Sequence, residues 1–165
     1  MNDTKSNLKE AFAGESQANR KYLAFAKKAD IEGLSKIAML FRAAAEAETV
    51  HAHAHLKALN GVGTTIDNLK EAIAGETHEF ESMYPDMIKT AISEGDKTAE
   101  RSFRFANEVE KIHAELYQKA LNNIDHPEDV QCYYVCQVCG NTVENEAPES
   151  CPVCQAKAKS FTKVE

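Results

Sequence analysis

Two short patterns in this sequence can hold metal ions, and they belong to different kinds of chemistry. The segments YVCQVCGN and ESCPVCQA each contain a Cys-x-x-Cys pair, Cys136 with Cys139 and Cys151 with Cys154. Two intervening residues let both thiolates of a pair turn toward one ion, and four thiolates complete a tetrahedral shell. Gly140 follows the first pair, where a residue without a Cβ lets the backbone fold round the sulfurs. All five cysteines lie between Cys132 and Cys154. In a reducing compartment that clustering reads as a metal site rather than as disulfides. Cys132 is left over as a spare thiol outside the shell. Spacing alone leaves both zinc and iron open.

The second pattern is Glu-x-x-His, found at Glu48/His51 and again at Glu110/His113. Residues three apart on a helix project from nearly the same face one turn along, so each pattern presents a carboxylate and an imidazole together. These elements sit inside an internal repeat. NLKEAFAGES at residues 7–16 reappears as NLKEAIAGET at residues 68–77, and each copy carries a further glutamate, Glu15 or Glu76. Glu15 to Glu48 spans 33 residues and Glu76 to Glu110 spans 34. The midpoints fall beside Gly33 and Gly95, where glycine marks turns, so in two antiparallel hairpins the four glutamates can meet at one level. One Glu from each of two helices and a Glu-x-x-His from each of the other two is the ligand set of carboxylate-bridged dimetal bundles. Glu79, one turn after Glu76, adds a fifth carboxylate. Five carboxylates in one apolar interior repel one another unless cations supply the missing charge. Mixed carboxylate and imidazole donors suit iron or manganese better than zinc or calcium.

The other histidines do not share this company. His53 points away from His51, and His55 lies a turn beyond the level of Glu48. His78 points sideways between Glu76 and Glu79, and His126 falls in a linker.

The elements that position these residues follow from composition and periodicity. Residues 5–123 are rich in Ala, Glu, Lys and Leu and hold one proline, Pro85. Helices are predicted over about 5–30, 34–59, 66–93 and 97–123, separated by Gly33, the Asn60–Gly63 run and Gly95. Pro127 ends the helical pattern. The division is a four-helix bundle with its linker at residues 1–131 and a small domain of short strands and knuckle loops at 132–165. At 165 residues the chain can bury one core with an appendage. A net charge of -7 speaks against a nucleic-acid partner, which requires a concentrated Lys/Arg surface. No apolar run reaches membrane-span length and the first residues lack the apolar stretch of a secretory signal, so a soluble, cytoplasmic protein is expected.

The order GES, Glu-x-x-His, GETHE, Glu-x-x-His and then paired cysteine knuckles resembles the rubrerythrin family over almost the whole chain. The resemblance implies a ferritin-like diiron bundle with a C-terminal rubredoxin-like domain. Its diiron ligands fall on Glu15, Glu48, His51, Glu76, Glu79, Glu110 and His113. Its mononuclear iron falls on Cys136, Cys139, Cys151 and Cys154. It places two tyrosines, Tyr22 and Tyr84, beside the diiron site as hydrogen-bond donors, although buried packing explains a tyrosine equally well. One departure is Gln155, where free-standing rubredoxins carry glycine after the fourth cysteine.

The activity implied is reduction of hydrogen peroxide to water in protection against oxidative stress, with His51 and Glu79 exchanging as ligands between the reduced and oxidised states. Two adjacent ferrous ions can deliver both electrons within one complex, whereas a single one releases hydroxyl radical. Electrons would come through the cysteine-held iron from an external reductase or NAD(P)H-linked donor. A ferritin-like iron oxidase using oxygen, and a non-enzymatic interaction protein with a zinc ribbon, are the rivals. The resemblance also implies a head-to-tail homodimer or larger homo-oligomer. The last helix runs about 20 Å past Glu110, so electrons are expected to cross from the cysteine domain of another subunit unless the linker folds back.

Overall fold

The computed structural model describes residues 3–125 and 129–165. The chain divides into two compact units, Met1–Gly63 and Thr64–Glu165.

The first unit is a helical hairpin. α1 (Thr4–Ile31) begins where the Asp3 carboxylate accepts the Ser6 N–H at 2.7 Å, which satisfies one of the donors left over at a helix start. Gly33, at φ 77°, turns the chain, and α2 (Ser35–Ala58) runs back along α1. The seam is built from small residues, with Ala26, Ala29, Ala38, Ala45 and Ala52 all buried. Short side chains let the helices approach closely, and Asn19 uses that approach. Its Nδ2 donates to the Ala45 carbonyl at 2.7 Å and to Thr49 Oγ1 at 2.9 Å.

The second unit opens with α3 (Thr65–His78), started by a reciprocal cap in which Thr64 and Asp67 bond each other's backbone N–H groups. A five-residue π turn, Glu79–Met83, follows, and then α4 (Tyr84–Glu94). Gly95, at φ 72°, ends α4 in the left-handed conformation, and Asp96 caps α5 (Lys97–Asn122) through the N–H groups of Thr98 and Ala99. α5 packs along α3, the π turn and α4. The single helix expected over 66–93 is therefore interrupted. Pro85 supplies a reason, because it has no N–H to place in an α-helical ladder and its ring crowds the preceding turn. Widening that turn lets Tyr84 N–H reach back five residues to the Glu79 carbonyl.

The repeat locates the extra residue. Asn7 and Glu15 precede their counterparts Asn68 and Glu76 by 61 positions, whereas Tyr22, Gly33, Glu48 and His51 precede Tyr84, Gly95, Glu110 and His113 by 62. The added residue falls between Glu76 and Tyr84, the stretch that contains the π turn. At about 100° per residue, seven α-helical steps leave Tyr22 about 20° from the direction of Glu15. Eight unbroken steps would put Tyr84 about 80° from Glu76; a turn that absorbs one residue restores the 20° offset.

The cysteine region forms a small antiparallel sheet of β1 (Tyr133–Cys136), β2 (Thr142–Glu144) and β3 (Phe161–Val164), ordered β2-β1-β3. Tyr133 stands opposite Glu144 on one side and Val164 on the other. β2 packs on α5, where Lys119 Nζ donates to Glu144 Oε2 at 2.7 Å. Gly140 lies against Val109 so closely that a Cβ there would sit 3.7 Å from Val109 Cγ1. This corrects the expectation that the chain carries its cysteine region away beyond the helix end. After α5 the chain doubles back onto that helix. His126 and Pro127 lie outside the described residues. Among those described, no helix is long and apolar enough to cross a membrane.

Candidate metal centres

The two knuckles bring Cys136, Cys139, Cys151 and Cys154 into one cluster, every sulfur within 4.8 Å of the others. Cys136 Sγ lies 3.6 Å from Cys154 Sγ, and Cys139 Sγ lies 3.5 Å from Cys151 Sγ. A disulfide requires sulfurs about 2.05 Å apart. A tetrahedral ion at about 2.3 Å from each sulfur gives edges of about 3.8 Å, close to what is seen. Backbone N–H groups are already aimed at the sulfurs, from Asn141 to Cys139, from Cys154 and Val153 to Cys151, and from Ala156 to Cys154.

The thiols respond unequally. Burial pushes Cys139 and Cys154 up; burial acts on Cys151 as well, yet the N–H groups of Cys154 and Val153 hold it below the ordinary thiol range. Deprotonating all four requires a cation, and the site is shaped to receive one. Cys132 stands apart, its thiol facing the Asn145 carbonyl at 3.6 Å.

Each helical unit carries one carboxylate-imidazole triad. In the first, Glu15 comes from α1, and Glu48 and His51 from α2. His51 Nδ1 lies 2.8 Å from Glu48 Oε2 and 4.0 Å from Glu15 Oε1. In the second, Glu76 comes from α3, and Glu110 and His113 from α5, with His113 Nδ1 2.8 Å from Glu110 Oε2. In both triads the Glu-x-x-His pair closes on itself through the same atoms, as expected from helical spacing.

The environments differ. His51 is 55% exposed, whereas His113 is 26% exposed and its Nε2 lies 3.0 Å from Thr142 Oγ1 of β2. Thr142 was not among the residues singled out from the sequence. Nothing in its spacing marks it, because its role depends on the cysteine region folding back onto α5.

Charge crowding is visible in the second unit. The Glu76 carboxyl is raised above the usual range, first by burial and then by the charge of Glu110, with His113 acting in the opposite direction. Glu79, the first residue of the π turn, is raised by burial and by Glu76, with His78 opposing. Tyr84 is raised by burial and by the charges of Glu79, Glu110 and Glu76 in that order. Its ring also packs near Phe103, with centroids 6.3 Å apart. Tyr22 packs beside the Phe25–Phe41 pair, with ring centroids 6.3 and 6.2 Å away. His53 is exposed on α2 and belongs to neither triad.

Comparison with known proteins agrees with the order of these centres. A family model described as Rubrerythrin matches residues 6–121, and one described as the rubredoxin-like domain of rubrerythrin matches residues 134–162. Rubrerythrin-2 of Clostridium acetobutylicum is 38% identical over 93% of this chain and 92% of its own. Nigerythrin of Nitratidesulfovibrio vulgaris is 35% identical over 98% of this chain and 87% of its own. A solved structure of nigerythrin described as fully reduced and all ferrous aligns with 99% of this chain and 88% of its own, at a TM-score of 0.60 and 35% identity.

Proposed function

Because the chain belongs to the rubrerythrin family, we propose that it is a non-haem diiron peroxidase that reduces hydrogen peroxide to water. The observation that carries this reading is the presence, in one chain, of two Glu/Glu/His triads and a four-sulfur cluster. Glu15, Glu48, His51, Glu76, Glu79, Glu110 and His113 are the proposed ligands of two irons. Cys136, Cys139, Cys151 and Cys154 are those of a third. Residues 1–131 then serve as the diiron domain with its linker, and residues 132–165 as the electron-transfer domain. When bound, the paired irons supply the two electrons that turn peroxide and two protons into two waters, and the cysteine-held iron replaces those electrons singly.

The side chains provide for the protons. Glu76 and Glu79 give up their protons when they bind metal, and the Tyr84 phenol stays protonated beside them. Two protons are consumed per peroxide, and the Tyr84 phenol is placed to supply one at the carboxylate cluster. The unequal exposure of the two imidazoles supports a division between them. His113 is held by Thr142, so His51 would be the imidazole that exchanges with Glu79 as an iron ligand. An external NAD(P)H-linked reductase or rubredoxin-like protein is the proposed electron donor, a homodimer the proposed assembly, and oxidative-stress protection in the cytoplasm the proposed role.

The test is steady-state turnover of the iron-loaded protein, supplied with an NAD(P)H-linked reductant, with peroxide and, separately, with oxygen. Faster consumption of peroxide, accompanied by reoxidation of the cysteine site's visible absorption, is expected. Turnover with oxygen alone and retention of ferric iron would replace this reading with iron oxidation and storage, in which the cysteine cluster has no part.

A further inference from the structure

We propose that Thr142, a residue of the cysteine region, is a positioning residue for the second triad: its hydroxyl fixes which nitrogen of His113 faces the metal. The inference rests on the diiron reading above.

Thr142 Oγ1 lies 3.1 Å from the Gly140 carbonyl and 3.0 Å from His113 Nε2. A carbonyl oxygen only accepts, so the hydroxyl gives Gly140 its one proton and turns a lone pair toward the imidazole. Nε2 must then donate. A neutral imidazole has a single N–H, which leaves Nδ1 with a bare lone pair. Nδ1 is the atom 2.8 Å from Glu110 Oε2, so two electron-pair donors face each other where a cation is to bind. The opposite tautomer would draw the Thr142 proton away from Gly140 and direct an N–H at Glu110 in place of the metal.

Hydrogen bonds to the far nitrogen of a ligating histidine fix its orientation and raise its basicity, and their loss typically lowers metal affinity about 10–100-fold. Here that bond comes from the cysteine region. Docking β2 on α5 is therefore part of assembling the triad. The same two hydrogen bonds join Gly140, the neighbour of Cys139, to the imidazole, giving a continuous route within one chain. Among the described residues His51 has no such partner on Nε2, which matches its greater exposure.

Thr142→Val keeps the β-branched shape that a strand favours and removes only the hydroxyl. Thr142→Ser restores the hydroxyl, and Glu110→Gln serves as the control for the site itself. Ferrous iron is removed from each iron-loaded protein by a competing chelator. T142V is expected to lose affinity at the carboxylate site about 10–100-fold and T142S to recover it, with the cysteine absorption unchanged in both. Wild-type affinity in T142V beside a loss in E110Q overturns the role of Thr142 alone. Wild-type affinity in E110Q as well overturns the diiron reading.

A second measurement needs no variant. In zinc-loaded wild-type protein the His113 Nε2–H should exchange with water more slowly than the ring N–H of His51, and equally rapid exchange overturns the proposal.

Discussion

Tyr84 donates its backbone N–H to the carbonyl of Glu79, and this single bond across five residues sets both side chains beside the carboxylates of the second triad. Glu79 is the one carboxylate of the group without a counterpart in the first repeat, so its contribution lies outside the symmetric ligand set. Glu79→Ala is expected to retain metal and lose fast peroxide turnover. Tyr84→Phe should retain metal and slow turnover about 100-fold, the low end for loss of a positioned proton donor. Metal analysis and stopped-flow kinetics check both, and wild-type rates in either variant remove that residue from the reaction.

Glu48 and Glu110 each lie 2.8 Å from the histidine one turn on, inside their triads. Replacing either with glutamine leaves a metal short of a charged ligand, so iron content should fall. Iron determined per chain is the measurement, and full occupancy in both variants would exclude these triads as the binding site.

The raised carboxyls of Glu76 and Glu79 determine how pH acts on the metal-free chain. An acid whose folded pKa lies above its unfolded value binds more protons when folded. Its contribution to stability therefore falls as pH rises from the ordinary carboxyl value, 4.5, through the raised one. Metal binding must expel those protons. Calorimetric titration in buffers of different ionisation enthalpy should show proton release, larger at pH 5.5, about one unit above the ordinary carboxyl value, than at pH 8, about 3.5 units above it. Equal release at the two pH values would mean that both carboxyls are already ionised.

Gln155 follows the fourth cysteine at φ 63°, and Gly140 follows the second at φ 86°. Both knuckles thus require the left-handed conformation after their second sulfur, but only one has glycine there. A non-glycine residue in that region costs about 1 kcal/mol. Gln155 is exposed, and its side chain makes one long contact, to the Pro152 carbonyl at 3.4 Å. Gln155→Gly should stabilise the cysteine region by about 1 kcal/mol without altering its visible absorption. Denaturant unfolding followed at the cysteine absorption band tests this, with no gain as the adverse result.

The helices, the triads and the sulfur cluster were legible because each depends on spacing along one or two elements. Glu48 and His51 face the same way on any α-helix, and two Cys-x-x-Cys pairs converge on any pair of knuckles. The π turn had left a trace in the one-residue excess between Glu76 and Glu110, but only the departure from α geometry gives that excess a location. Pro85 was the local signal. Thr142 was illegible for a different reason. Its meeting with His113 joins residues 29 positions apart across a segment whose path no periodicity specifies. The expected separation of the cysteine region from its own helices failed at the same step, since a helix end fixes where a linker starts and not where it returns.

The one-residue excess also records how the chain came to be unequal in its halves. A copied hairpin that gains a residue inside a helix faces two outcomes: everything downstream rotates by about 100°, or the backbone bulges and confines the change to one turn. Here the bulge preserved Tyr84, Gly95, Glu110 and His113 as heirs to the places of Tyr22, Gly33, Glu48 and His51. The difference in length is confined to the stretch from Glu76 to Tyr84, and Glu79 stands at the head of the bulge there. Twin hairpins treat two metals alike. A residue absorbed by a bulge breaks that equality while keeping the paired positions in register, and gives one half a carboxylate that the other lacks.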